Sequence, residues 1–239
     1  MRTLVILPTF NEALNIETVV RGIRSAVPEV SILVVDDGSP DGTADIAEQL
    51  AEELGSIEVM RRDGKQGLGS AYRAGFRHGI DAGFDAMVEM DSDLQHDPEA
   101  LPYLLAAAAD GASLTIGSRY IPGGSIPDWA WHRRMLSIWG NRYASAMLGL
   151  GVRDATSGYR VYRAEVLRKI DLDAVRADGY GFQIEMAYQV ERAGGRVVEV
   201  PIQFSERQLG DSKMSSRIVV EALVLVTWWA VRDRVFRRR

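Results

Sequence analysis

The 239-residue sequence predicts an α/β fold, a mostly parallel sheet with helices on both faces. Three observations carry that expectation. Short β-branched runs alternate with longer helical patterns through the first 120 residues. The runs are apolar throughout, which marks strands buried on both sides. A strand that is followed by a helix and then another strand returns parallel to the first.

Residues 3–7 (TLVIL) read as the first strand, and an amphipathic helix follows at 14–27. Residues 32–36 (ILVVD) form the second strand and 43–54 the next helix, which Asp41 or Thr43 is placed to cap. The third strand is 57–60 (IEVM), followed by a helix at 68–83. The fourth strand is 86–90 (AMVEM). Asp97-Pro98 starts the helix at 98–109, because Asp accepts a free N–H and Pro suits the first helical position. Residues 114–117 (LTIG) make the fifth strand. The second half is less regular. Residues 123–127 (GGSIP) read as a loop, 131–148 as a helix, 158–162 as a strand, 182–192 as a helix and 196–201 as a strand. The polar run 207–215 (RQLGDSKMS) reads as a mobile loop before a last helix at 216–232. No repeat or linker interrupts this order, so a single domain over 1–239 is expected.

Apolar residues are 46% and charged residues 26%, the balance of an ordinary globular protein. The chain has no cysteine, which excludes disulfides, Cys-ligated zinc, iron–sulfur clusters and thiol catalysis. It also fits a reducing compartment. The net charge of −5 argues against a nucleic-acid binder. That average is uneven: residues 207–239 carry eight basic and three acidic residues. The first apolar run stops at Pro8, too early for a secretory signal. The longest apolar stretch, 218–231, is broken by Glu221. As a helix it spans about 21 Å at ~1.5 Å per residue, short of the ~30 Å of a bilayer core.

In open parallel sheets, ligands bind at the carboxyl ends of the strands, and polar residues collect there. After the first strand come Pro8, Thr9, Phe10, Asn11 and Glu12; after the second, Asp36 through Gly42; after the fourth, Asp91, Ser92, Asp93, Leu94 and Gln95; after the fifth, Arg119. If 91–95 is extended, alternate residues point the same way. Asp91, Asp93 and Gln95 then present three oxygen ligands to a hard divalent cation, Mg²⁺ or Mn²⁺, which completes its shell with substrate phosphate. Gly67-Leu68-Gly69 after Lys65 reads as a phosphate-contacting loop or an ordinary helix start. No P-loop or dinucleotide fingerprint is present.

These clusters resemble family-2 glycosyltransferases of the GT-A fold, and more closely the dolichol- or polyprenol-phosphate mannose synthases. The resemblance rests on PTFNE (8–12), VVDDGSPDGT (34–43), KQGLG (65–69), MDSDLQH (90–96), GSRY (117–120), WGN (139–141), DATSGYR (154–160) and GDSKM (210–214), in matching order and spacing. It implies inverting transfer of mannose from GDP-mannose to a polyprenyl or dolichyl phosphate. UDP-glucose, another nucleotide sugar, a hydroxyl acceptor or a non-catalytic sugar-nucleotide binder stay open as alternatives. Residues 1–120 become the nucleotide-sugar half, 121–215 the acceptor and lid region, and 216–239 an interfacial helix with a basic tail. Carried over by motif, Pro8, Phe10 (where the family often has tyrosine) and Glu12 line the nucleotide pocket, and Val35 and Asp37 bracket base and ribose. Asp91, Ser92, Asp93 and Gln95 hold metal and diphosphate, with Asp91, Asp93 and Gln95 as ligands. Arg207 and Lys213 close over the diphosphate. Arg119 reaches the phosphate of the acceptor or donor, and Arg133 and Ser137 meet that of the acceptor.

A phosphate acceptor is already anionic and needs no dedicated base; Asp91 and Asp154 are the candidates if a base acts. Trp129, Trp131, Trp228 and Trp229, with five arginines among 232–239, suit a surface lying on an anionic leaflet. The expected protein is cytoplasmic and peripheral to the cytoplasmic face of the membrane. The missing span leaves room for a separate anchoring subunit.

Overall fold

The computed structural model of the chain describes residues 1–127, 129–205 and 216–236, with side chains in the last segment from 221 to 233. The described residues form one seven-stranded sheet in the order β3-β2-β1-β4-β6-β5-β7. Its strands are β1 (Thr3–Thr9), β2 (Ser31–Asp36), β3 (Ile57–Arg61), β4 (Ala86–Glu89), β5 (Leu114–Ser118), β6 (Arg160–Arg163) and β7 (Val197–Pro201). The helices are α1 (Ile16–Ala26), α2 (Thr43–Leu54), α3 (Leu68–Asp81), α4 (Leu101–Ala109), α5 (Trp131–Leu148), α6 (Ala164–Leu167), α7 (Gly179–Arg192) and α8 (Ser216–Phe236).

The first half follows the expected βα alternation, with β1 parallel to both β2 and β4 and β2 parallel to β3. The exception is β6, which runs antiparallel between β4 and β5. Its cause lies in α5, which packs mainly against α8. The chain therefore does not cross back over the sheet before β6 begins, and β6 runs the other way.

Each central strand is buried on both faces. Val5, Leu7 and Val34 point to α1, α2 and α4, while Leu4, Ile6 and Leu33 point to α3 and α7. In α1 the buried residues are Ile16, Val19, Val20 and Ile23, the i, i+3, i+4, i+7 stripe of a one-sided helix. Burying each is worth about 1.5–3 kcal/mol against the entropy of ordering the chain. Asp97 accepts the Glu99 N–H at 3.0 Å, so Asp97-Pro98 starts this segment as the sequence implies, through a 3₁₀ turn at Pro98–Ala100 that leads into α4. Helix α8 runs to Phe236, beyond the expected 232. Tyr188 and Arg192 on α7 both bond the Asp233 carboxylate and hold that last turn down. Among the described residues no helix is long and apolar enough to cross a membrane.

One buried charge has a measurable consequence. Glu89 on β4 is 0% exposed and lies opposite Arg160 across the β4–β6 ladder. Burial raises its pKa to about 8 from the ordinary 4.5, opposed by Arg160. The folded protein thus holds the proton more tightly than the unfolded chain. The stability this contributes is complete below pH 4.5 and is lost as the pH rises through about 8. Glu89→Gln removes the titration. In thermal melts with EDTA, the variant gains on wild type between pH 5 and 8, by at most about 1.4 kcal/mol per pH unit. A gap independent of pH refutes the assignment.

Candidate active site

The carboxyl ends of β1, β2, β4 and β5 open into a cavity of about 590 Å³. Its floor is built by hydrogen bonds between loops far apart in sequence. Asp36, at the end of β2, is 2% exposed and spent on structure. It accepts the Thr9 hydroxyl at 2.9 Å, the Ser39 N–H at 2.9 Å and the Ser39 hydroxyl at 2.6 Å. The loop after β1 docks on the same turn. The Asn11 N–H reaches Ser39 and the Glu12 N–H reaches Thr43, both at 3.0 Å, and the Ala13 N–H reaches Asp41 at 3.1 Å. Asp41 also accepts the Thr43 N–H, so it does satisfy the start of α2, from one residue further out than a usual cap.

Pro8, Phe10, Glu12 and Asp37 line this cavity. Asp37 is 5% exposed, held by Arg62 at 3.2 Å and by the Gln66 N–H at 3.1 Å. The Lys65 ammonium sits 5.0 Å over the Phe10 ring. Val35 needs correction. Its side chain is 0% exposed in the core on the α3 side of the sheet and does not line the cavity. Alternation along β2 turns it away from the ligand edge.

Asp91, Ser92, Asp93 and Gln95 all line the cavity, though not for the expected reason. The run 91–95 is a turn and not an extended segment, with Leu94 left-handed at φ 64°. The Asp93 carboxylate accepts the Gln95 N–H at 3.1 Å, the local bond that makes Asp a turn former. Ser92 donates to the Pro8 carbonyl at 2.9 Å and ties β4 to β1. Gln95 donates through Nε2 to the Ser205 carbonyl at 3.2 Å, and its own carbonyl accepts the Ser205 N–H at 3.3 Å. The Asp91 N–H donates to His96 Nδ1 at 3.1 Å. His96 is stacked 4.9 Å from Tyr159, and burial lowers its pKa to about 4 from 6.5, so it accepts as a neutral ring.

Two carboxylates and an amide supply only oxygen donors, the chemistry that Mg²⁺ and Mn²⁺ take. Among the described residues no three His, Cys, Asp or Glu side chains cluster to hold an ion. An ion at this set would need further ligands from a bound substrate.

The glycines of KQGLG have a packing reason. The Asp178 carboxylate accepts the Gly69 N–H at 2.7 Å, in the first turn of α3. A Cβ at Gly67, which has φ 93°, would run into that carboxylate, and one at Gly69 would lie 2.8 Å from the Ala177 carbonyl. The first turn of α3 is thus answered by a protein carboxylate rather than offered to phosphate.

Arg119 is 4% exposed and lines the cavity. Its Nε and Nη2 both bond Asp154 at 2.7 Å, and Nη2 also reaches Thr156 at 2.8 Å. Asp154 is 0% exposed and further accepts the Arg119 N–H at 3.0 Å. Although burial pushes the other way, the Arg119 charge and its hydrogen bonds hold the Asp154 carboxyl below its ordinary pKa. Asp154 has both oxygens bonded to Arg119 and does not line the cavity, which is a poor position for taking a proton from a substrate. Arg133 lies 3.9 Å over the Trp129 ring. Ser137 accepts the Tyr120 hydroxyl at 2.7 Å and lines a second cavity of about 230 Å³ rather than the first. That groove shares Trp129, Arg133, Thr156 and Tyr180 with the main cavity and is otherwise mostly apolar, with Leu136, Ala144, Ile184 and Val226. Arg207 and Lys213 lie outside the described residues.

Sequence reasoning missed Tyr72, Asp178, Tyr180 and Glu221, all at or beside the cavity. Tyr72 and Tyr180 look like helix core in the sequence. Glu221 carried a signal, as the one acid in an apolar stretch.

A mostly parallel sheet of this topology, with an acidic turn after β4 and a buried arginine beyond β5 at one cavity, is the GT-A fold of glycosyltransferases. Residues 4–171 match the glycosyl transferase family 2 model, and the chain belongs to that family. It is 52% identical over 234 residues to an undecaprenyl-phosphate mannosyltransferase of Micrococcus luteus, covering 98% of this chain and 96% of that one. It is 51% identical over 239 residues to a polyprenol monophosphomannose synthase of Mycolicibacterium smegmatis, covering 100% and 90%. Among solved structures, a mannosyltransferase of Pyrobaculum calidifontis in complex with GDP-Man and Mn²⁺ superposes with a TM-score of 0.65 at 21% identity, over 97% of this chain and 64% of that one.

Proposed function

We propose that this chain transfers mannose from GDP-mannose to a polyprenyl phosphate, with inversion, using Mg²⁺ or Mn²⁺. The observation that carries this reading is identity of about one half, end to end, with two enzymes named for polyprenyl-phosphate mannosylation. The site supports it. Asp37 and Glu12 line the cavity and would meet the nucleotide. Asp91, Asp93 and Gln95 would hold the ion, which neutralises charge growing on the leaving diphosphate. Arg119, oriented by Asp154 and Thr156, would point its guanidinium donors at the acceptor end. Arg133, at the junction of the two cavities, would offer its guanidinium fork to phosphate. The apolar groove beyond it suits the first part of a prenyl chain.

The acceptor is a membrane lipid, and one surface suits a bilayer. On α5, Trp131 is 78% and Trp139 54% exposed; on α8, Trp228 is 56% exposed, while Trp229 is buried in the core. Trp129 also turns inward, toward Arg133 and Phe204. Helix α5 carries three arginines and no acidic residue. Aromatic and basic side chains together favour an anionic interface. This reading places the protein on the cytoplasmic leaflet.

The test incubates the protein with radiolabelled GDP-mannose, Mn²⁺ and a polyprenyl phosphate and extracts with organic solvent. Metal-dependent label in the lipid phase is the expected result, with UDP-glucose a poor donor in parallel. No label in the lipid phase refutes the proposal. In sedimentation with anionic liposomes, Trp131→Ser with Trp139→Ser lowers partitioning on the order of tenfold. Unchanged partitioning removes the leaflet contact and leaves an anchoring subunit as the route to the membrane.

A further inference from the structure

We infer that Tyr72 is a positioning residue for the metal site, fixing the Asp91 carboxylate through a hydrogen bond from its hydroxyl. The inference rests on the metal reading above and names a residue that the motifs do not. Tyr72 lies in the second turn of α3 and is 0% exposed. Its hydroxyl donates to Asp91 Oδ1 at 3.1 Å. The ring cannot swing away. It stacks on Phe182 of α7 with centroids 6.0 Å apart and planes 7° apart, and on Phe76 one turn along at 6.3 Å.

Asp91 is thus held at two points on opposite sides of its Cα. His96 takes its N–H, and Tyr72 takes one carboxylate oxygen. Asp91 follows β4 on a turn beyond the sheet ladder, so side-chain contacts such as that from Tyr72 set the direction of its carboxylate. A carboxylate already oriented toward an ion loses less entropy on binding it, and partners behind a ligand typically set 10–100-fold in metal affinity. The glycine at 69 belongs to the same arrangement. Its missing Cβ leaves room for Phe182, whose ring would be 2.9 Å from that atom.

The experiment measures Mn²⁺ affinity by calorimetry on the full chain saturated with GDP, for wild type, Tyr72→Phe, Asp91→Asn, the double variant and Phe76→Leu. Tyr72→Phe keeps the ring and removes one oxygen. It is expected to weaken Mn²⁺ about tenfold, to leave metal-free GDP binding unchanged, and to have a smaller effect once Asp91→Asn has removed the charged ligand. Phe76→Leu disturbs the same packing without touching Asp91, and is expected to keep wild-type Mn²⁺ affinity. Wild-type affinity in Tyr72→Phe, with Asp91→Asn impaired, overturns the inference alone. An equal loss in Phe76→Leu also overturns it, since packing then explains the effect. Wild-type affinity in Asp91→Asn removes the metal reading and the inference together.

Discussion

Asp93→Ala is expected to abolish transfer while leaving a folded protein. Asp93 is only partly buried, and its carboxylate accepts the N–H of Gln95 in the same turn. It lies on a loop at the cavity and outside the two hydrophobic cores, so its loss leaves the packing of the fold in place. Its chemical role is larger. As the nucleoside diphosphate leaves, negative charge grows on it, and a divalent ion at this turn contributes several kcal/mol of stabilisation. At about 1.4 kcal/mol per tenfold in rate, losing the ion slows transfer by at least ~10³-fold. The assay is initial rate at saturating GDP-mannose and Mn²⁺, with circular dichroism as the fold control. A variant working within tenfold of wild type would falsify the role given to Asp93.

Asp154→Ala is expected to cause the largest loss of stability. Arg119 and Asp154 form a buried pair with two bonds of 2.7 Å between side chains. Such a pair is weak evidence for net stabilisation, because both charges were taken out of water. Breaking it is another matter. Removing Asp154 leaves an arginine, 4% exposed, facing Tyr120, Trp129 and Phe204 with its principal partner gone. The cost of breaking a buried pair in this way is about 3–5 kcal/mol. For a chain of this size the melting temperature falls roughly 2–4 °C per kcal/mol, so a drop of roughly 6–20 °C is expected. Asp154→Asn keeps an acceptor and loses less. Differential scanning calorimetry decides it; a melt of Asp154→Ala within two degrees of wild type, on the same scale, rules out this account. Transfer falls as well, because Asp154 fixes the direction of the Arg119 charge.

These two residues also mark how far local sequence can be read. Asp93 announces itself: two aspartates and a glutamine follow a buried strand, and the site lies where an open sheet places ligands. Its place at the cavity was legible, but the geometry was not. Extended backbone was expected to align 91, 93 and 95, whereas a turn with left-handed Leu94 brings them to the cavity. Asp154 carries no local signal. Its partner is 35 residues away, so a buried ion pair looks in the sequence like a candidate base. Asp178 and Tyr72 are similar cases, one on the chain before α7 and the other inside α3, joined to the site through contacts 109 and 19 residues apart. Val35 shows the reverse error: beside a site motif in sequence, it belongs to the core.

The sequence by itself determined the class of fold, the edge of the sheet that carries the chemistry, and the family. Apolar runs at strand length, helical periodicity and turn residues are local properties, and they survive without knowing what packs on what. The boundaries of α2 and α5 coincide with the pattern for the same reason. Only the tertiary structure decided the direction of β6, the exposure of Trp131 and Trp228 against the burial of Trp229, and the pairing of Asp154 with Arg119. Those outcomes depend on which charges lose their water together and which faces find a partner. Neither quantity exists until distant segments meet.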